Sequence, residues 1–161
     1  MRLEEREFIE KLYLEMYDKL KIYAKVSLYS EALAEEAVQE AFGIACQKPE
    51  ALYQSPNPRG WLMQTLKYTI CNMKSSRETG RRILEQYQEV QKRDNVYTED
   101  RTKLHLLYGD VAQLEDFILL YEMIIVGKSH AELAKSRGIT IDACKKRVQR
   151  AKENLRKKIK L

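Results

Sequence analysis

The side chains of this sequence with the most evident binding chemistry are cations and one amide near the C-terminus. Residues 127–161 hold twelve Lys or Arg against three Asp or Glu. Lys and Arg bind phosphates, Arg or Lys can also pair with the O6 and N7 atoms of guanine, and Gln can pair with adenine. The segment therefore predicts a nucleic acid as its partner. The side chains concerned are Lys145, Lys146, Arg147, Gln149 and Arg150.

The rest of the chain carries no such excess of positive charge. Residues 1–75 hold ten Lys or Arg against eleven Asp or Glu, and residues 76–126 hold seven against ten, so the net charge of +5 arises in the C-terminal segment. A solvated helix face is the plain alternative, but such a face usually mixes Glu with Lys, whereas this one has a single sign. The distribution favours an anionic partner.

Two predicted helices joined by a glycine would position these cations. Ser129 and Glu132 have the spacing of a capping box and predict a short helix that ends at Gly138. Thr140 is predicted to cap a last helix, whose apolar residues recur every three or four positions as far as Ile159. Two such helices form a helix-turn-helix, in which the N-terminal residues of the second helix enter the major groove of DNA.

Helices are also predicted in the N-terminal half. Apolar residues recur with a helical period over residues 7–29 and 31–47, and Ser30 is the predicted N-cap of the second helix. All 3 prolines lie between residues 49 and 58 and predict a loop. A third helix is expected to begin near Pro58, because proline is tolerated in a first helical turn.

The domain organisation follows from a charged stretch that has no clear period. It separates the N-terminal helices from a very apolar predicted helix at residues 110–126. With 33% charged residues and only 6 Gly, the composition favours long helices over a β-sandwich. We predict an all-α fold of two small helical domains, residues 1–78 and 109–161. The linker at residues 79–108 is expected to have some helical character and no packed side.

Several classes of protein are disfavoured by what the sequence lacks. No apolar run approaches the roughly 18 residues of a membrane span, and the charged N-terminus lacks a signal-peptide core, which predicts a cytoplasmic protein with no membrane partner. No phosphate-binding glycine loop, nucleophile motif or metal-spaced carboxylate pair is present, so we expect neither an enzyme nor a cofactor. His105 and His130 lack cysteines at zinc-ligand spacing. The cysteines expected to be reduced and buried are Cys46, Cys71 and Cys144.

The C-terminal segment resembles region 4 of the sigma-70 family, in particular its extracytoplasmic-function group. The family's G-x-S-x-x-E-[IL]-A element is met by "GKSHAELA", and its G-[IV]-[ST]-x-x-[TA]-[VC]-K-x-[RK]-[VL]-x-R-A element by "GITIDACKKRVQRA". The resemblance implies a helix-turn-helix that binds the −35 element of promoters. The residues that match the DNA-binding positions are Thr140, Lys145, Lys146, Arg147, Gln149 and Arg150.

The N-terminal part resembles region 2 of the same family. "ALAEEAVQEAF" matches its A-E-D-[LA]-[VT]-Q-[ED]-[VA]-F element, and "NPRGWLMQTLKYTICNMKSSR" matches its helix that begins with P-[RK]-x-W-L. The two blocks, in the family's order, cover residues 8–77 and 111–159. They imply a sigma factor whose partners are promoter DNA and core RNA polymerase, through the β′ coiled coil and the β subunit. Whether an anti-sigma factor also binds is left open.

The resemblance also assigns roles within region 2. The second helix would contact the β′ coiled coil through Glu36, Gln39 and Glu40. The proline loop and the third helix would bind the −10 element and capture an unpaired base, which needs aromatic or polar groups together with cations. The residues with that chemistry are Tyr53, Gln54, Asn57, Arg59, Lys67, Asn72, Lys74 and Arg77. Trp61 could stack on a base, but its spacing with Leu62 and Ile70 favours a place in the core.

Two features leave alternatives open. Departures from the family pattern at Ala37, Cys46, His130 and Lys146 leave the promoter sequence undetermined. The second hypothesis for the function is a stand-alone helix-turn-helix regulator, whose N-terminal helices would form a dimerisation or sensor domain. The pair "AEEAVQEAF" and "PRGWL" favours the sigma factor, because a dimeric repressor has no reason to carry both.

Overall fold

The computed structural model describes residues 1–97 and 111–160, and every regular element within those ranges is a helix. The predicted all-α fold is therefore confirmed. The chain divides into two compact units, the N-terminal unit Met1–Ser75 and the C-terminal unit Ser76–Leu161. In chain order the elements are α1 (Leu3–Leu28), α2 (Glu31–Gln47), α3 (Pro49–Tyr53), α4 (Pro58–Tyr97), α5 (Val111–Tyr121), a π-helical segment (Glu122–Val126), α6 (His130–Arg137) and α7 (Ile141–Ile159).

The first two helices begin at capping contacts. The backbone N–H of Arg2 donates to the buried Glu5 carboxylate over 2.8 Å, so α1 begins four residues before its predicted start at residue 7. Such a contact satisfies backbone donors that have no partner within the helix. The Ser30 hydroxyl accepts the N–H of Leu33 over 3.3 Å, which confirms the predicted N-cap of α2.

The predicted proline loop is partly helical. Pro49 opens the short helix α3, where its missing N–H costs no hydrogen bond, and Leu52 on that helix is fully buried. The prediction of a loop is therefore wrong for residues 49–53, because a proline in the first turn of a helix does not interrupt it. The helix α4 then begins at Pro58, as predicted, and Asn57 caps it by accepting the N–H of Gly60 over 3.0 Å.

The core of the N-terminal unit lies between α1, α2, α3 and the first turns of α4. Small side chains on α2 let the backbones of α1 and α2 approach closely, since Ala34, Ala37 and Ala41 are fully buried. Trp61 is half-buried and packs against this core, in agreement with the role predicted from its spacing. The largest fully buried side chains of the unit are Leu20, Val38, Leu52, Leu62, Leu66 and Thr69.

The helix α4 continues through most of the predicted linker. It is 40 residues long and ends at Tyr97. Ile83, Leu84 and Tyr87 are buried in the core of the C-terminal unit, and a Cβ at Gly80 would lie 2.8 Å from Ile124 Cδ1. The prediction of an unpacked linker is wrong for residues 79–87, because the many charges around these apolar positions hid their helical spacing. Residues 98–108 of the predicted linker lie outside the described residues.

The C-terminal unit ends in the predicted helix-turn-helix. Gly127 and Gly138 have positive φ values of 87° and 62°, which end the helical segments before them. The core beneath α6 and α7 consists of Leu133, Ala134, Cys144, Val148, Ala151 and Leu155, together with residues of α4, α5 and the π-helical segment. Cys144 is buried as predicted, whereas the same prediction was wrong for Cys46 and Cys71, which are exposed.

Candidate nucleic-acid interfaces

The turn between α6 and α7 is built by backbone hydrogen bonds and one side-chain cap. The N–H of Ile139 donates to the carbonyl of Ala134 over 3.0 Å, which brings the chain around Gly138. The Thr140 hydroxyl then accepts the N–H of Ala143 over 3.1 Å and begins α7. Thr140 is therefore the N-cap of α7, and its side chain is exposed at the start of that helix.

The cations predicted to bind DNA all lie on the outer side of α7. The buried side of the helix is formed by Cys144, Val148 and Ala151, so side chains between these positions point away from the core. The exposed residues are Lys145, Lys146, Arg147, Gln149 and Arg150. We call this set, together with Thr140, the α7 surface. Besides the Thr140 cap, Gln149 Nε2 donates to Glu153 over 3.3 Å.

One lysine of the basic segment serves the core and was missed from the sequence. Lys152 on α7 is only 7% exposed, and its ammonium donates to the Ser76 hydroxyl over 2.7 Å and to the Ser76 carbonyl over 3.3 Å. Burial lowers the pKa of Lys152, and the positive charges of Arg156 and Arg77 lower it further. The signal was present in the spacing, since residue 152 lies one turn after the buried Val148.

A second cation of the C-terminal unit binds backbone carbonyls. The Arg77 guanidinium donates to the carbonyl of Met123 over 2.7 Å and to that of Ile124 over 3.3 Å, both in the π-helical segment. A π-helical turn does not satisfy its carbonyls as an α-helix does, and Arg77 supplies donors there. Arg77 was predicted to bind the −10 element, but the structure uses this group within the C-terminal unit.

The π-helical segment also holds the helix-turn-helix by ion pairs. Glu122 Oε2 lies 2.9 Å from Arg137 Nη2, and Glu122 Oε1 lies 3.6 Å from Lys128 Nζ. Arg137 ends α6, so these pairs connect the segment that follows α5 with the far end of α6. No local pattern in the sequence predicts these ion pairs, because they depend on tertiary packing.

The loop residues predicted to bind the −10 element are exposed, and several have contacts that position them. The Tyr53 ring meets the Phe8 ring edge-on with centroids 5.3 Å apart. Gln54 donates to Glu50 over 3.1 Å, and Asn57 caps α4. Arg59 forms an ion pair with Glu15 of α1, and this hydrogen bond lowers the pKa of Glu15.

The α4 members of the same set lie farther along the chain. Lys67, Asn72 and Lys74 are exposed on α4, and the Lys67 ammonium lies over the Tyr23 ring, 5.7 Å from its centroid. The structure thus places seven of the eight predicted residues on the surface of the N-terminal unit, from the end of α3 to Lys74 of α4. Arg77 is the eighth and belongs to the other unit.

The residues predicted to contact polymerase lie on the outer side of α2. Gln39 and Glu40 are exposed, and Glu36 is half-buried. The acids at the start of the same helix are already paired, since Lys21 Nζ lies 2.9 Å from Glu35 and 3.2 Å from Glu31. The hydrogen bond to Glu35 raises the pKa of Lys21 most, and the one to Glu31 raises it further. The C-terminal half of the α2 surface therefore offers an amide and a carboxylate to a partner.

No protein-family model, no curated protein and no solved structure matches this chain. In residues 1–97 and 111–160, no three His, Cys, Asp or Glu side chains come together as a metal site would require. None of the helices in that part of the chain combines the length and apolar character that crossing a bilayer demands.

Proposed function

We propose that this protein is a sigma factor of the extracytoplasmic-function type, which binds core RNA polymerase and directs it to promoters in the cytoplasm. The observation that carries the proposal is the presence of two helical units, whose sequences resemble regions 2 and 4 in that order. In each unit the side chains that match the family's binding positions are exposed, except that Glu36 is half-buried and Arg77 binds backbone carbonyls.

The proposed division of labour follows the chemistry of each surface. The α7 surface carries four exposed cations within two turns, which suits the dense phosphates of duplex DNA at the −35 element. Lys146 and Gln149 lie on its outermost side and are our choice for contacts with base edges. The end of α3 and the start of α4 combine Tyr53, Asn57 and Arg59, which suits an unpaired base of the −10 element.

Binding to core polymerase would use the outer side of α2. Gln39 and Glu40 lie one turn away from Glu36, so the three side chains share a face of about one and a half helical turns. A carboxylate on such a face attracts a basic helix of the partner and fixes the register of docking. The proposed partner is the β′ coiled coil. No group of this chain is proposed to catalyse a reaction.

The test is reconstitution of the full chain with core polymerase, followed by mapping of transcription starts across the source genome. The double variant Gln39→Ala/Glu40→Lys should lose most of its binding to core enzyme while its helical circular dichroism stays unchanged, because both side chains are exposed. Gln88→Ala/Glu89→Lys is the matched control, since it makes the same charge change at exposed positions of α4.

Two results would contradict the proposal. Equal capture of core polymerase by both double variants would remove the α2 surface from the interface. A wild-type chain that binds no core enzyme, but binds a palindromic duplex as a dimer, would favour the stand-alone regulator instead.

A further inference from the structure

The outer side of α5 and of the π-helical segment after it carries a row of exposed apolar side chains. The row consists of Leu114, Ile118, Tyr121 and Ile125, and between 39% and 52% of each residue is accessible. We call these four residues the α5 row. The opposite side of the same helical stretch is also apolar and is buried in the core of the C-terminal unit. A helix that is apolar on all sides is usually covered on all sides, so the α5 row suits a partner.

Contacts within the C-terminal unit hold the row in place. The Tyr121 ring stacks on the Phe117 ring, with centroids 6.0 Å apart and an interplanar angle of 28°. Phe117 in turn contacts the ring of the buried Tyr87, at 5.6 Å between centroids. The aromatic member of the row is therefore positioned before any partner arrives, which reduces the entropy lost on association.

The charges around the row disfavour a nucleic acid and favour a protein as the partner. Residues 111–126 contain three Asp or Glu and no Lys or Arg. Two of these acids already have partners within the unit, since Asp116 accepts from Asn154 over 3.1 Å and Glu122 lies 2.9 Å from Arg137 Nη2. Nucleic acids are bound through cations, and the stretch offers none.

The spacing of the row points to a second copy of this chain. Its four residues are separated by four, three and four positions, so the row is the same when read in either direction. If two copies pack their α5 helices antiparallel about a two-fold axis, Leu114 of one lies opposite Ile125 of the other, and Ile118 lies opposite Tyr121. Each apolar side chain then has an apolar partner, and one surface forms both halves of the interface, as two-fold symmetry requires.

We propose that the α5 row is a self-association surface through which two copies of this chain form an antiparallel, two-fold symmetric dimer. Ile118 and Tyr121 would lie at its centre, where buried side chains contribute most to affinity. The row is about 16 Å long, so the interface lies at the low end of specific interfaces, and we expect a reversible dimer with a Kd on the order of 10 µM. The dimer is independent of the sigma-factor proposal and uses none of the residues assigned above to DNA or polymerase.

The experiment is sedimentation velocity of the full chain at concentrations from about 1 to about 100 µM, over which the wild type should pass from monomer to dimer. Ile118→Glu should weaken association by about tenfold or more, because it removes an apolar contact and brings two like charges together near the two-fold axis. Ile141→Glu is the matched control, since Ile141 lies in the same unit and both isoleucines are 43% exposed. Both variants should keep the helical circular dichroism of the wild type.

A mixture of two variants tests the antiparallel register. Ile118→Glu and Tyr121→Lys should each self-associate poorly. An equal mixture of the two should dimerise at concentrations at which neither does alone, because the introduced carboxylate of one copy lies opposite the introduced ammonium of the other. The other half of this mixed interface keeps its apolar contact between Tyr121 and Ile118.

Four results would overturn the dimer. They are a wild-type chain that stays monomeric throughout, an Ile118→Glu variant that associates as wild type does, an Ile141→Glu variant that associates as poorly as Ile118→Glu, and a mixture that associates no better than its components. Capture of core polymerase by the same preparations tests the sigma-factor proposal separately. A monomeric wild-type chain that captures core polymerase rejects the dimer alone, whereas a dimer that depends on Ile118 without core capture keeps the α5 row and rejects the sigma factor.

Discussion

The two cationic surfaces of this chain are built in different ways. The α7 surface places Lys145, Lys146, Arg147 and Arg150 close together, with Gln149 as its uncharged member. The exposed side of α4 between residues 58 and 75 has few cations, an exposed tyrosine and no carboxylate. Duplex DNA carries about one charge per 1.7 Å of its axis, whereas single strands combine fewer charges with open base faces. Under the proposed function, the α7 surface suits duplex DNA and the exposed side of α4 suits a single strand.

The two surfaces also differ in how they are supported. The α7 surface stands on a helix held by Lys152 and by the contacts of Arg77 and Glu122 within the C-terminal unit. The surface of α4 stands on an apolar core and on a cap at Asn57. Cations of the C-terminal unit thus fall into two groups, those that meet solvent and those that bind the protein itself. Net charge alone does not distinguish them.

The largest effect is expected when the α7 surface loses its charge. Replacing its four cations with Ala should weaken duplex binding by about a thousandfold at about 0.15 M salt, and reduce the salt slope by about four ions, if all four touch phosphate. Binding to the single strand should change far less. Anisotropy titrations against salt, on duplex and single strand, measure both.

The matched control for this variant removes four exposed lysines of the N-terminal unit: Lys11, Lys19, Lys25 and Lys48. It changes the net charge equally, so an equal loss of duplex binding in the two variants would show that only total charge matters. In that case the α7 surface would be an ordinary solvated face.

A smaller effect, on stability, is expected at Lys152. Lys152→Ala should lower the free energy of unfolding by about 1–3 kcal/mol, because it removes a buried hydrogen bond to Ser76 and leaves a gap. Lys158→Ala, at an exposed position of the same helix, should change it by less than about 0.5 kcal/mol. Denaturant unfolding measures both. If Lys152→Ala reduced the salt slope of DNA binding but left the free energy of unfolding unchanged, the structural role of Lys152 would be contradicted.

The lowered pKa of Lys152 adds a pH dependence whose sign is defined. The folded state disfavours the charged amine, so the unfolded chain binds more protons in the window between the folded pKa and the ordinary value of 10.5. Stability therefore rises with pH through that window. Lys152→Met removes this contribution, so the difference in melting temperature between wild type and variant should shift in favour of wild type as the pH approaches 10.5 from below. A difference that stays constant with pH would argue against a depressed pKa.

Local signals explain which parts of the structure the sequence could predict. Ser30, Thr140 and Gly138 act through neighbours a few residues away, and the structure confirms all three as helix boundaries. Ile83 and Leu84 act instead through distant residues, because they pack in a core with side chains such as Ile124. The charged residues around them also hide their apolar spacing. Arg77 shows the same limit for a binding residue, since its motif position gives no sign of the carbonyls it contacts.

The smallest effect is expected at the start of α4, where one residue has a structural and a proposed binding role. Asn57 accepts the N–H of Gly60, so Asn57→Ala would remove an N-cap and cost about 1 kcal/mol of stability. Asn57→Ser keeps a capping oxygen and removes only the amide that would contact an unpaired base. It should therefore leave unfolding nearly unchanged and lower open-complex formation by a few-fold, about the strength of one hydrogen bond.

The measurement for Asn57→Ser is permanganate footprinting of open complexes beside gel-shift of closed complexes, on a promoter mapped with the wild-type protein. Arg59→Gln tests the neighbouring cation, whose ion pair with Glu15 lies on the same exposed surface. Both variants should reduce open complexes more than closed ones, because only strand opening presents the unpaired base. Equal loss of the two complexes would assign these residues to duplex binding and would erase the distinction between the α4 and α7 surfaces.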